Sequence, residues 1–111
     1  MLLYQARLKS IDRVLARYGY EIEFEGHRTL VVNTQSSGDI GEAIRKKGYE
    51  IGYCYAESEQ NGDLMTFVTL YSDQVDVSVI AEKFGGGGHS GAAGFSFQRR
   101  ELPFPEAATI R

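Results

Sequence analysis

The 111 residues fit a single domain with a hydrophobic core, since 42% are hydrophobic and 24% charged, as in an ordinary globular protein. A net charge of -3 speaks against holding nucleic acid through a broad basic surface, so any polyanion contact is expected to be local and short. One cysteine excludes an internal disulfide, and neither a zinc-type Cys/His spacing nor an apolar run of membrane-spanning length occurs.

From Leu3 to Tyr18 the apolar residues Leu8, Ile11, Leu15 and Tyr18 recur at helical spacing, with Arg7, Lys9, Asp12, Arg13 and Arg17 on the remainder. Gly19 is a favourable stop. Charge arrives too early for a secretory leader, so a cytoplasmic location without membrane attachment is expected, and the helix, uncapped at residue 1, is expected to be the cut end of a longer connector. Glu21 to Glu25 alternates as a half-exposed strand; Gly26 to Thr29 reads as a turn containing His27, and Leu30 to Asn33 as the returning strand. Asp39 with Glu42 forms a capping pair for a short helix through Ile40, Ala43 and Ile44. Arg45, Lys46 and Lys47 complement the carboxyl end of that helix, and Gly48 closes it.

Bulky Ile51, Tyr53 and Tyr55 alternate with small Gly52, Cys54 and Ala56, the pattern of an interior strand covered on both faces, with Cys54 a core thiol. Asn61-Gly62 is a hairpin signal, and Leu64 to Tyr71 returns as a β-branched and aromatic strand. Asp76 can cap a helix in which Val77, Ile80, Ala81 and Phe84 share one face, ended by Gly85. Phe95 and Phe97 suggest a last short strand, and Pro103 and Pro105 an irregular tail. The order predicts an α/β fold: a single domain with a mixed β-sheet of about five strands and helices packed on it. Its expected divisions are a connector helix (1–19), a substrate-binding body (20–98) and a tail (99–111).

The chemistry is concentrated between Phe84 and Phe95, where six of twelve residues are glycine. Four consecutive glycines, Gly85, Gly86, Gly87 and Gly88, bare a run of main-chain amides able to cradle an anion. His89 adds an imidazole donor, and Ser90 follows. A flexible linker is the alternative, but linkers are usually Ser-rich and lack a phenylalanine at each end. The formal dinucleotide fingerprint Gly86-x-Gly88-x-x-Gly91 follows a helix where that motif requires a strand, and no Lys-Ser or Lys-Thr follows for a triphosphate loop.

With Asp76-Val77-Ser78-Val79-Ile80-Ala81, Phe84-Gly85-Gly86-Gly87-Gly88-His89 and Ala92-Ala93-Gly94-Phe95, the chain resembles the DHH-associated C-terminal domain, subfamily one, of the DHH-family phosphoesterases, from about Leu8 to Phe97. That family includes oligoribonucleases, a single-strand exonuclease and cyclic-dinucleotide phosphodiesterases. The resemblance implies substrate contact at Gly86, Gly87, Gly88 and His89 on a short oligonucleotide or nucleotide phosphoester. It also implies a separate DHH catalytic domain, in cis or in trans, carrying manganese or magnesium; no cofactor is expected in this chain, which has no Asp-His-His motif and two histidines. The chain alone is therefore expected to be inactive. Many family members end a strand in Ser-Leu-Arg-Ser, whereas this chain has Thr69-Leu70-Tyr71-Ser72. Tyr71 can stack on a base or be a core aromatic, and Arg45 or Lys46 can replace the missing cation. Two other functions stay open: a freestanding nucleotide or RNA-end binding module, and an enzyme in which His89 itself attacks phosphorus, which needs a group to orient the imidazole.

Overall fold

The computed structural model describes residues 2–34, 38–98 and 109–110. Helix α1 (Leu2–Tyr18) leads into the hairpin β1 (Tyr20–Phe24) and β2 (His27–Asn33). Helix α2 (Gly38–Lys46) crosses to β3 (Ile51–Gln60), which turns back as β4 (Asp63–Tyr71). Helix α3 (Val77–Lys83) precedes β5 (Gly87–His89), β6 (Ala92–Gln98) and a two-residue β7 (Thr109–Ile110). The sheet runs β5-β6-β4-β3-β2-β1-β7. Only β2 and β3 pair in parallel, because α2 carries the chain across between them; the other pairs are antiparallel, so the sheet is mixed as expected. The expected tail beyond 98 lies, except for β7, outside the described residues.

The sheet is wider than five strands for two reasons. Residues 87–89 pair with β6, so part of the glycine run is an edge strand, and β7 adds to β1 at the other edge. The first turn is also tighter than expected. Glu25 and Gly26, at φ +53° and +79°, complete it alone, so His27 opens β2, with Nδ1 3.6 Å from a carboxylate oxygen of Glu50. Two positive φ values in succession match the right-handed twist of the flanking strands.

The alternation in β3 sorts the core into two layers. Ile51, Tyr53 and Tyr55 face α3 together with Ile22, Phe24, Val31, Val68, Leu70, Val77, Ile80 and Phe95. Cys54 faces the other way, into a layer of Ile11, Leu15, Leu30, Val32, Ile40, Ile44 and Tyr71 beneath α1 and α2. Small residues belong on that side because the helix comes close: a Cβ on Gly52 would lie 3.0 Å from Ile44. Burial pushes the Cys54 thiol up to about 12, so almost no thiolate forms at pH 8. Native protein is expected to resist iodoacetamide at that pH and to react fully in guanidinium; labelling of folded protein at the rate of a free thiol would contradict the packing.

A row of rings, Phe24 on Phe84, Phe84 on Phe95 and Phe95 on Phe97, runs through the α3 layer with centroids 6.1, 5.0 and 6.1 Å apart. Lys83 Nζ meets Glu25 at 3.0 Å, joining the β1–β2 turn to the end of α3. The glycine run starts from this anchored end.

Candidate functional site

Each part of the glycine run has a different structural task. Asp76 caps α3, accepting from the Ser78 amide and hydroxyl, and the hydroxyl bond above all holds its carboxyl below the usual range. At the other end Gly85, at φ +87°, donates its amide to Glu82, and the Gly86 amide reaches Ala81 at 2.8 Å. These two bonds form the glycine-dependent helix stop in which the last carbonyls are satisfied from beyond the helix. Two of the four amides expected to face an anion are thus bonded within this stop, and the β5–β6 ladder, in which alternate residues exchange main-chain bonds, engages part of the remainder. Gly86 is also needed for room, since a Cβ there would fall 1.9 Å from the Gly94 carbonyl oxygen.

Gly87, Gly88 and His89 are exposed on the outermost strand, opposite Gly94, Ala93 and Ala92. Gly88, at φ +147°, would push a Cβ to 2.6 Å from Ala93, whereas Gly87 faces open space. The Ser90-Gly91 turn returns the chain, and its carbonyls are held by the β4–α3 connector: Ser72 donates to Gly91 at 3.1 Å and Val77 to Ser90 at 3.0 Å.

The pairing registers place His89 in a row. Gly52 lies opposite Tyr71, Tyr71 opposite Ala92 and Ala92 opposite His89, so all four share the face covered by α2. Tyr71 and His89 are therefore two strand spacings apart, roughly 10 Å. Tyr71 is buried at 9% exposure, with its ring against Gly41 of α2, where a Cβ would approach to 2.6 Å. Its ring is part of the core in this structure, whereas His89 stands beyond the helix in solvent.

Beside the turn opens a cleft of about 830 Å³. Its walls are the last turns of α2 (Glu42, Arg45, Lys46), the connector from Ser72 to Asp76, and Ser90 with Gly91. The connector holds its shape through Ser72, whose hydroxyl donates to the Glu50 carbonyl and accepts from the Gln74 and Val75 amides. The sequence points to Ser90, Arg45 and Lys46 as contacts, and to Asp73 and Asp76 only as neighbours able to orient His89, not as the wall of a cleft. A serine followed by an aspartate-rich turn was the available signal, and only the β5–β6 hairpin brings it to the site.

Among the described residues no group of three or more His, Cys, Asp or Glu side chains could hold a metal ion. Nor is any described helix long and apolar enough to cross a membrane.

The arrangement is that of a compact α/β domain with a cleft beside a glycine hairpin. A solved structure with this fold is the pGpG-specific phosphodiesterase PggH from Vibrio cholerae, at TM-score 0.55 and 17% identity over 86% of this chain. The chain spans about a third of that protein, 35% of its length. No protein-family model matches, and no curated sequence matches significantly.

Proposed function

We propose that this chain is the substrate-binding domain of a DHH-family phosphoesterase, holding the phosphate of a short oligonucleotide or nucleotide while a separate metal-bearing domain hydrolyses the ester. The observation carrying this reading is the meeting of the Ser90-Gly91 tip with the basic last turn of α2 across one open cleft. The exposed Gly87, Gly88 and His89 flank that tip, and Gly85 and Gly86 fix its angle through the helix stop. Arg45 supplies the cation that Tyr71 does not, since Lys46 is 3.4 Å from Glu42. The fold of PggH, a phosphodiesterase acting on a phosphorylated dinucleotide, supports the same reading.

Titration with a 5′-phosphorylated dinucleotide is expected to move the amide signals of Gly87 to Gly91 and leave those of β1 and β2 in place. Unmoved signals at millimolar ligand would refute the assignment. The chain alone, with manganese, is expected to hydrolyse no short oligonucleotide, because it has no Asp-His-His motif; turnover lost on His89→Ala would instead establish catalysis by this domain.

A further inference from the structure

Most polar groups on the cleft wall are already engaged. Ser72 organises the connector, Asp76 caps α3, Glu42 pairs with Lys46, and the Ser90 and Gly91 carbonyls accept main-chain bonds. Four side chains remain without a recorded partner among the described residues: Arg45, Asp73, Gln74 and the Ser90 hydroxyl. Arg45 and Asp73 carry opposite charges yet form no ion pair with each other. A bare phosphate would satisfy Arg45 and Ser90 and be repelled by Asp73. The complementary ligand has an anionic end and, apart from it, an end that donates hydrogen bonds.

We infer that the cleft takes a guanine nucleotide, with Asp73 accepting from the base and Arg45 meeting the phosphate, an extension that rests on the phosphate-binding reading above. A carboxylate only accepts, so it needs donors side by side. Guanine offers N1–H and the N2 amino group adjacent on its Watson–Crick edge. Adenine and cytosine place a ring acceptor next to their amino group, and uracil has one N–H between two carbonyls. Gln74, beside Asp73, can donate to the guanine O6. The volume of about 830 Å³ lies within the usual range for small-molecule sites, roughly 300–1,000 Å³.

The test is amide-signal titration of the whole chain with GMP, AMP, CMP and UMP. GMP is expected to bind about tenfold more tightly than UMP, toward the low end for a bidentate base contact because Asp73 is exposed. Asp73→Asn is expected to bring the four within about twofold while raising affinity for UMP and inorganic phosphate, since a repelling charge is gone. Arg45→Gln is expected to weaken all four alike. Equal binding of the four by the wild type, or a guanine preference that survives Asp73→Asn, would overturn the base assignment and leave the phosphate site standing. Failure of every nucleotide to bind would overturn the phosphate reading and this one with it. An unchanged spectrum of each free variant outside the cleft verifies that the fold is retained.

Discussion

Gly86→Ala is expected to destabilise the domain by about 3 kcal/mol, the upper end for forcing extra volume into a packed site. The reason is geometric: the added carbon would sit 1.9 Å from the Gly94 carbonyl oxygen and 2.8 Å from the Phe95 Cα. Both are main-chain atoms, so no rotamer change relieves the clash; α3 and β6 would have to separate. Gly87→Ala next door meets nothing within 4 Å and is expected to change stability by no more than about 0.5 kcal/mol. Urea titrations of the two variants make the comparison, and equal midpoints would show that the glycine run is not held against β6 as described. The contrast matters for function. Loss of ligand binding in Gly86→Ala would reflect a broken scaffold, whereas in the stable Gly87→Ala it would report on contact with the ligand.

Phe24→Ala is expected to cost about 3–5 kcal/mol, as for other buried aromatics cut to alanine. Phe24 is fully buried, meets the Tyr53 ring edge-on at 5.3 Å and stacks on Phe84 at 6.1 Å. With about 4–8 °C lost per kcal/mol in a domain near this size, melting should fall by roughly 12–40 °C. Phe84 is the residue just before the glycine stop, so removing its stacking partner should also speed hydrogen exchange at the Gly85 and Gly86 amides. A fall of only a few degrees would mean that the ring row does not organise this layer. The hairpin and the core packing are linked here: the aromatic row holds the end of α3, and the end of α3 aims the hairpin.

Local periodicity made much of this architecture legible. The 3.6-residue repeats of α1 and α3, the cap at Asp76 and the stop at Gly85 depend on neighbours within a few positions, and each stands where the pattern puts it. The bulky and small faces of β3 announced a strand covered on both sides, because alternation is a property of the strand itself; this holds from Ile51 to Tyr55, whereas Ala56 and the residues after it are exposed. The burial of Cys54 followed from the same pattern.

Other features were decided by contacts distant in sequence. Glycine has no strand preference, so nothing in Gly87-Gly88-His89 foretells β5; it exists because β6 offers an edge that bare backbone can approach closely. The parallel β2–β3 pairing gives α2 its crossover path and so carries Arg45 to a cleft formed with residues almost thirty positions away and beyond. The sequence by itself determined most of the elements, the Asp76 cap of α3 and the chemical character of the glycine run, whereas α2 begins at Gly38 and so holds Asp39, expected to cap it, inside its first turn. Tertiary structure decided which amides that run spends on its own helix, where Tyr71 is buried, and which charges meet, because pairing register and helix placement depend on the whole sheet.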